Sequence, residues 1–310
     1  MNNNRQDPPL GLQGRFHSEA EKEPPILGGI KGIIFDYGGT LDTCGQHWGK
    51  KLWHAYERQH VPVTEQQFRD AYVYGERTLG RNPIIKPDYT FHRTLSTKIR
   101  LEMEHLCTHN AWDASEEEFR AKHQAVLDDL YAEVQATTAH SIGVLRELHE
   151  RYPMVLVSNF YGNIECVLHE FGFDGLFLDI VESAIVGVRK PDPRIFELGV
   201  EKLRSSDVEK ELSARPEGTL SERSGERTLN SKLSTTLHSP LSTTLNSKLS
   251  TLNSNEVLVV GDSFYKDILP AQKAGCRTAW FKGEGWTDET YDETIPDMVI
   301  TDLSDLLVIK

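Results

Sequence analysis

The chain has 310 residues and a mass of 35.1 kDa, a length typical of about two domains. Aspartate and glutamate outnumber lysine and arginine by 47 to 34, and the net charge of −13 argues against binding to nucleic acid or to an anionic membrane. No stretch is apolar enough to span a membrane, and the polar N-terminus does not have the pattern of a signal peptide. The four cysteines form no C-x-x-C pair, so we expect free thiols and a cytoplasmic location.

The first strand is predicted after a polar N-terminal segment. Residues 1–28 are rich in Asn, Gln, Glu, Pro and Gly and predict a disordered tail. An apolar run rich in β-branched residues follows at 30–35 and ends at Asp36, which is typical of a buried parallel strand. Two glycines then interrupt the pattern. Residues 29–45 are therefore predicted to be the first part of an α/β core.

The next segment is predicted to be helical throughout. Residues 46–137 contain no strand pattern, and their prolines and glycines divide them into about four helices. Ser115, followed by three glutamates, is a typical helix start. We call residues 46–137 the cap segment, and we expect it to form a separate helical domain inserted into the core.

The remainder alternates between helices and strands, which predicts a parallel sheet with helices on both faces. The second and third parts of the core are predicted at residues 138–204 and 256–310. Strands are expected at 154–157, 176–181, 257–260, 278–281 and 298–300, and helices at 142–149, 164–171, 192–203 and 267–274.

Residues 205–255 do not fit this alternation. They are rich in Ser, Thr, Asn, Glu and Arg, and they contain three copies of an octapeptide, TLNSKLST at 228–235, TLHSPLST at 236–243 and TLNSKLST at 244–251. Such a unit is too short for a solenoid, and a leucine stripe broken by proline is a weak helix. We predict a disordered repeat insertion in a surface loop, with a partner-binding amphipathic helix as the alternative.

Four groups of polar residues are each predicted at the C-terminal end of a strand, where ligands bind in open parallel sheets. Each motif alone is commonly a turn or a helix cap. The four motifs contain Asp36 and Thr40 in D-Y-G-G-T-L, Ser158 and Asn159 after the strand M-V-L-V, Lys190 in V-R-K-P-D-P, and Asp262 and Asp267 in G-D-S-F-Y-K-D.

In this order the four motifs resemble those of the haloacid-dehalogenase-like (HAD) hydrolase superfamily, and the resemblance covers residues 31–204 and 256–310. It implies a Rossmann-like core and an inserted helical cap that encloses a small phosphorylated substrate. It also implies Mg²⁺-dependent hydrolysis through a covalent intermediate on an aspartate. A carboxylate that attacks phosphorus divides one difficult hydrolysis into two steps, and hard oxygen ligands suit Mg²⁺.

The resemblance also implies a role for each motif residue. Asp36 is the nucleophile, and Lys190 stabilises the charge beside it. Asp36, Asp262 and the backbone carbonyl of Gly38 are the expected Mg²⁺ ligands, whereas Asp267 supports the metal or Lys190 indirectly. Thr40, Ser158 and Asn159 are expected to contact the phosphate.

Position 38 departs from the usual family pattern. HAD phosphatases mostly carry an aspartate two residues after the nucleophile, which protonates the leaving oxygen and later activates water. Gly38 cannot transfer a proton, although its carbonyl can still bind a metal. The sequence therefore predicts that metal binding is retained and that this acid–base group is lost.

Two branches of the superfamily also lack that aspartate. Haloacid dehalogenases lose the acidic fourth motif as well, and the G-D-S-F-Y-K-D sequence argues against that reaction. Phosphonoacetaldehyde hydrolases keep the metal and cleave a carbon–phosphorus bond through a cap lysine that forms a Schiff base. Lys50, Lys51, Lys86 and Lys98 lie in the cap segment, and we expect all four to be solvated.

Other polar and aromatic residues near the first motif are expected to have mainly structural roles. Asp42 is expected to be a turn or cap residue rather than a substitute acid, and His47 remains a minor candidate for substrate contact. Trp48, Trp53 and Tyr56 are expected to pack within the cap.

The favoured function is a small-molecule phosphatase. The alternatives are a C–P hydrolase and a non-catalytic protein that binds a phosphorylated ligand.

Overall fold

The computed structural model describes residues 27–213, 251–287 and 290–310. Its core is one six-stranded sheet in which every pair of neighbouring strands is parallel. The strands are β1 (Gly32–Phe35), β2 (Met154–Ser158), β3 (Asp179–Glu182), β4 (Val257–Gly261), β5 (Arg277–Phe281) and β6 (Met298–Ile300), and their order is β3-β2-β1-β4-β5-β6. The predicted Rossmann-like α/β core is confirmed.

The first strand shows why a continuous apolar run is needed. Ile33 pairs with Met154 on one side and with Leu258 on the other, so β1 lies in the centre of the sheet. Ile33 and Phe35 belong to the large hydrophobic cluster on one face, whereas Ile34 belongs to the cluster on the opposite face. Both faces are covered, which explains why β1 does not alternate between apolar and polar residues.

Four helices begin between β1 and β2, as predicted for the cap segment. They are α1 (Trp48–Arg58), α2 (Glu65–Arg81), α3 (Phe91–Thr108) and α4 (Glu116–His149). The predicted helix start at Ser115 is confirmed, because the Ser115 hydroxyl accepts a hydrogen bond from the Glu118 backbone N–H. Thr64 and Thr90 cap α2 and α3 in the same way.

The predicted start of a helix at residue 142 is wrong. The helix expected at 142–149 is the C-terminal part of α4, which runs unbroken for 34 residues. The predicted boundary between residues 137 and 138 therefore falls inside a helix. Thr138 and Ser141 are buried in this stretch, and their hydroxyls donate to the carbonyl oxygens of Val134 and Leu41. These small polar residues occupy core positions, so they conceal the helical periodicity.

The remaining helices follow the core strands. They are α5 (Ile164–Phe171), α6 (Ser183–Val186), α7 (Arg194–Ser213), a π-helical turn (Phe264–Ile268) and α8 (Leu269–Lys273). Helix α7 extends beyond the predicted end at 203, and the last helical region begins at Phe264 rather than at 267. Short 3₁₀ helices cover Ser254–Glu256 and Leu303–Val308. No helix of the described residues is long and apolar enough to cross a membrane.

The predicted tail and the predicted insertion fall largely outside the described residues. Of the tail, Leu27 is buried and its carbonyl oxygen accepts a hydrogen bond from the Lys310 backbone N–H. The two sides of the insertion meet at its base, where the Arg204 Nε, just before the insertion, donates to the Leu252 carbonyl oxygen at 2.8 Å. Leu252 is itself buried in the core.

We therefore expect that residues 206–250 can be replaced by a short Gly-Ser linker that joins Ser205 to Thr251. The entropic cost of closing a loop grows only with the logarithm of its length, so the free energy of unfolding should change by about 1 kcal/mol. Urea denaturation measures this change. A shortened chain that does not fold, or that loses its activity, would show that the repeat segment contributes to the fold.

The lysines of the cap segment correct another prediction. Lys86 is exposed and Lys50 is partly buried, but Lys51 and Lys98 are buried rather than solvated. The Lys51 ammonium lies 2.7 Å from a carboxylate oxygen of Glu133 on α4. A long aliphatic stem lets lysine cross an apolar core to reach such a partner, and this cannot be recognised from local polarity.

The cap core also contains a buried carboxyl group. Glu102 on α3 is fully buried, and its Oε2 accepts a hydrogen bond from the Tyr56 hydroxyl at 3.3 Å. Its Oε1 has no hydrogen-bond partner among the described residues. Burial is the main cause that raises the pKa of Glu102 from 4.5 to about 8, so this side chain is neutral at pH 7.

Glu102 should make the protein less stable as the pH rises. Between about pH 4.5 and 8 the unfolded chain ionises this carboxyl group while the folded chain keeps it protonated, so stability is lost across this window, by up to about 1.4 kcal/mol per pH unit. Glu102→Gln keeps the shape and cannot ionise. Thermal unfolding measured from pH 5 to 8 should show a weaker pH dependence in this variant than in the wild type. An identical pH dependence would mean that Glu102 is ionised in the folded protein.

Candidate active site

The sheet topology brings the four sequence motifs together. Asp36 follows β1, Ser158 ends β2 and Asp262 follows β4, and β1 lies between the other two strands. Their carboxyl ends therefore meet at one edge of the sheet. A cavity of about 170 Å³, which we call the catalytic cavity, lies at this edge. Seven of the eight predicted site residues line it, namely Asp36, Gly38, Ser158, Asn159, Lys190, Asp262 and Asp267.

A buried ammonium group joins two of the carboxylates. The Lys190 Nζ lies 2.8 Å from Asp36 Oδ1 and 2.6 Å from Asp267 Oδ1. Burial acts to lower the pKa of Lys190, but Asp267 and Asp36 outweigh it and raise the pKa above its usual value. Asp36 Oδ1 also accepts a hydrogen bond from the Tyr37 backbone N–H, whereas Oδ2 makes no hydrogen bond to the described residues.

Thr40, the eighth predicted residue, holds the loop that carries Asp262. Its hydroxyl oxygen accepts a hydrogen bond from the Asp262 backbone N–H at 3.0 Å and lies 3.3 Å from Asp262 Oδ1. Gly39 is required beside this contact. Its φ of +97° favours glycine, and a Cβ atom there would overlap the Asp262 carboxyl group.

Asp36, Asp262 and Asp267 form a group that can hold a cation. Each offers one carboxylate oxygen, and these oxygens lie within 4.8 Å of one another. Desolvation, followed by repulsion from Asp267 and Asp36, raises the pKa of Asp262 well above its usual value, and burial raises the pKa of Asp267 to about 6. The Lys190 ammonium contacts only two of these three carboxylates, so a hard divalent cation suits both the remaining charge and the oxygen ligands.

The structure gives Asn159 a clear positioning role. Its Oδ1 accepts a hydrogen bond from the Lys190 backbone N–H at 2.9 Å, and its Nδ2 donates to the Lys190 carbonyl oxygen at 3.1 Å. The amide therefore fixes the backbone from which the Lys190 side chain enters the site. Ser158 is buried and lines the catalytic cavity. The predicted phosphate contacts of both residues stay predictions.

Position 38 leaves open space in the catalytic cavity. A Cβ atom on Gly38 would find only Trp48 near it, with the indole Nε1 at 3.9 Å. The φ angle of Gly38 lies outside the left-handed region, so a side chain is compatible with its backbone. Glycine is therefore not required at this position by either space or conformation.

Asp42 contacts the same indole nitrogen of Trp48. Its Oδ1 accepts a hydrogen bond from the Gly39 backbone N–H at 2.7 Å, which agrees with the turn role expected from the sequence. Its Oδ2 accepts from Trp48 Nε1 at 2.9 Å, and the side chain lines the catalytic cavity. Burial is the main cause that raises the pKa of Asp42 to about 7. Trp48, expected to pack within the cap, also lines the cavity.

His47 caps α1 and lines the catalytic cavity. Its Nδ1 accepts a hydrogen bond from the Gly49 backbone N–H, so in the neutral ring the proton is on Nε2. The ring packs against Tyr72 and Trp286. Burial, with Lys266 and Lys98 nearby, lowers the pKa of His47 to about 4, so the ring is neutral at pH 7.

The cap side of the catalytic cavity contains a charge pair that the sequence did not reveal. The buried Lys98 ammonium lies 2.5 Å from Glu76 Oε1, which also accepts a hydrogen bond from the Tyr161 hydroxyl. The same ammonium lies over the Tyr72 ring, 4.6 Å from its centre. Glu76 and Lys98 come from different helices, and no motif marks either residue as part of a site.

Two family profiles match the chain. The profile of haloacid dehalogenase-like hydrolases matches residues 30–212, and a second profile, described as HAD-hydrolase-like, matches residues 187–306. The first match covers more than half of the chain. This match identifies the parallel α/β core, with acidic groups at its strand ends, as that of a hydrolase of a known class. The chain belongs to the haloacid dehalogenase-like hydrolase superfamily.

Solved structures with similar folds include several hydrolases. The HAD-hydrolase YfnB from Bacillus subtilis, bound to magnesium, is 15% identical with a TM-score of 0.47, and the match covers 89% of this chain and 96% of that one. A HAD phosphatase from Thermococcus onnurineus is 16% identical with a TM-score of 0.42 and the same coverage. A 2-haloacid dehalogenase from Pseudomonas syringae is 18% identical with a TM-score of 0.38, again with the same coverage. No curated protein sequence matches the chain.

Proposed function

We propose that this hydrolase is a Mg²⁺-dependent phosphatase that releases phosphate from a small phosphorylated metabolite through an aspartyl-phosphate on Asp36. The observation that carries this proposal is the cluster of Asp36, Asp262 and Asp267, two of which bind the Lys190 ammonium, in the wall of a cavity of about 170 Å³. We also propose a cytoplasmic location, since all four cysteines are free.

Asp36 is oriented for attack by its own contacts. Lys190 and the Tyr37 backbone N–H both bind Oδ1, which leaves Oδ2 as the oxygen that attacks phosphorus. The bond from phosphorus to the leaving oxygen breaks as the bond to Oδ2 forms, and water then hydrolyses the aspartyl-phosphate. Lys190 reduces the repulsion between the carboxylate and the phosphate in both steps.

The metal would bind to the oxygen atoms of this site. Asp36 and Asp262 offer carboxylate oxygens, and Gly38 offers its backbone carbonyl. Bound Mg²⁺ supplies positive charge that offsets the phosphate dianion. Asp267, bound to Lys190 and to the Ser263 backbone N–H, holds the ammonium in place.

Replacing Asp262 tests the metal assignment. Asp262→Asn should weaken Mg²⁺ binding measured by calorimetry and lower the release of p-nitrophenol from p-nitrophenyl phosphate by about 10²-fold or more. Asp174→Asn, at an exposed position, is the matched control and should change neither quantity. Unchanged Mg²⁺ affinity in Asp262→Asn would remove this residue from the metal site. Phosphate binding without Mg²⁺-dependent turnover would instead favour a non-catalytic binding protein.

A second candidate is a C–P bond hydrolase, and the position of Lys98 favours it. This cap lysine is buried and lines the catalytic cavity, as a lysine that forms a Schiff base with an aldehyde substrate must. The ammonium would first have to transfer a proton, because it is paired with Glu76.

Borohydride separates the two candidates. A C–P hydrolase would be inactivated by borohydride together with phosphonoacetaldehyde, with the added mass on Lys98, and Lys98→Arg would prevent the labelling. A phosphatase would show no such adduct and would retain its turnover of p-nitrophenyl phosphate.

A further inference from the structure

A second and larger cleft lies next to the catalytic cavity. It has a volume of about 700 Å³ and shares Glu76, Tyr161 and Arg189 with that cavity, so the two are adjacent. Its walls come from the cap, at residues 79–87, and from the core loops that follow β2 and α6. We call it the rim cleft. A ligand that is too large for the catalytic cavity can therefore extend into the rim cleft without leaving the site.

The charges of the rim cleft oppose those of the whole chain. The chain has a net charge of −13, but the cleft is lined by Arg81 and Lys86 from the cap and by Arg189 from the core. Neither arginine forms an ion pair with the described residues, and the Lys86 ammonium donates to the Pro83 carbonyl oxygen. The guanidinium groups are thus free to bind an anion.

Glu76 does not neutralise these cationic side chains. It is the only carboxylate among the described residues that line the rim cleft. Its Oε1 is already occupied by Lys98 and by the Tyr161 hydroxyl. Although burial acts in the opposite direction, Lys98 and Tyr161 lower the pKa of Glu76, so its negative charge is balanced by Lys98. The cleft therefore has an excess of positive charge.

We propose that the substrate carries a second anionic group, a phosphate or a carboxylate, on its leaving group. This inference rests on the proposed phosphatase function. The phosphate that is hydrolysed lies beside Asp36, and the second anion lies in the rim cleft against Arg81 and Arg189. Arginine binds both anions through paired N–H donors, and the two arginines come from the cap and the core. A ligand held by both would also hold the cap against the core.

The test compares aryl phosphates that differ only at a distant substituent. These are 4-propylphenyl phosphate, 4-(2-carboxyethyl)phenyl phosphate and 4-(2-phosphonooxyethyl)phenyl phosphate, which have similar phenolic leaving groups and flexible second groups. The wild type should prefer the two substrates with a second anion. Arg81→Gln and Arg189→Gln should each lower kcat/KM for these two substrates by about 10-fold. Each replacement removes charge-assisted hydrogen bonds, which are stronger than neutral ones. The propyl compound should change less than about 2-fold, because it has no group for either arginine to bind.

Arg146→Gln is the matched control. Arg146 is an exposed arginine on α4 outside both cavities, and its replacement should affect all three substrates equally. The doubly anionic substrate whose kcat/KM falls more in Arg81→Gln shows whether the second anion is a phosphate or a carboxylate. The proposal would be overturned if the double variant Arg81→Gln/Arg189→Gln retained the wild-type preference among the three substrates.

A binding measurement separates this inference from the proposed function. Calorimetry on the Asp36→Asn variant compares the affinities of the same three compounds without turnover. If no aryl phosphate is hydrolysed by the wild type, the phosphatase proposal fails. The second-anion site then stands or falls on whether Arg81→Gln weakens binding of the two doubly anionic compounds in this background.

Discussion

Replacing Asp36 by asparagine should lower the turnover of p-nitrophenyl phosphate by roughly 10³-fold or more, the loss seen when an enzyme loses its nucleophile. An amide is a poor nucleophile and cannot form the aspartyl-phosphate. The amide oxygen of the variant can still accept the hydrogen bond from the Tyr37 backbone N–H, and Lys190 keeps its ion pair with Asp267. Acid-quench experiments with ³²P-labelled substrate should find labelled protein in the wild type and none in Asp36→Asn.

Folding of the Asp36→Asn variant is the necessary control, because the site is buried. Circular dichroism and thermal unfolding should show a native spectrum, and Asp174→Asn should retain full activity. Wild-type turnover in a folded Asp36→Asn variant would remove the nucleophile assignment and with it the covalent mechanism.

Restoring an acid at position 38 should change which phosphates are hydrolysed. General acid–base catalysis contributes about 10²–10⁴ in rate, and Gly38 cannot provide it. The wild type should therefore hydrolyse p-nitrophenyl or acetyl phosphate much faster than a sugar phosphate, because an alkyl alkoxide is a poor leaving group without a proton. Gly38→Asp should raise alkyl phosphate turnover by about 10²-fold or more and leave aryl phosphate turnover nearly unchanged.

The structure makes Gly38→Asp a practical experiment. The space beside Gly38 is open, and its backbone conformation suits a side chain. Gly38→Asn has the same shape without the acid and is the matched control, so it should not raise alkyl phosphate turnover. Calorimetry with Mg²⁺ verifies that both variants keep the metal site. Equal turnover of alkyl and aryl phosphates by the wild type would show that another residue already supplies the proton.

Asp42 would then be the first residue to replace. It lines the catalytic cavity, and its pKa is raised to about 7 by burial, so it holds a proton below pH 7 and loses it above. Alkyl phosphate turnover that falls as the pH rises through 7, and that disappears in Asp42→Asn, would identify Asp42 as the acid. His47 is the next candidate, but its low pKa leaves it neutral at that pH.

The sequence alone was sufficient to predict the strands and the main motifs. A buried parallel strand requires a continuous apolar run, and the polar residue that ends the run lies at the sheet edge where ligands bind. This local relation places Asp36, Ser158 and Asp262 at the carboxyl ends of β1, β2 and β4. The helix start at Ser115 was predictable for the same reason, since capping depends on residues within one turn.

Only the tertiary structure determined which residues surround these motifs. Thr138 and Ser141 are polar, yet they lie at core positions, so α4 continues where the sequence predicts a new helix. Lys51 and Lys98 find carboxylate partners on other helices. The cap side of the catalytic cavity depends on contacts between residues far apart in the chain, and local patterns do not encode such contacts. The motifs of the core are local and could be predicted, whereas the cap surface that faces the catalytic cavity is not local and could not.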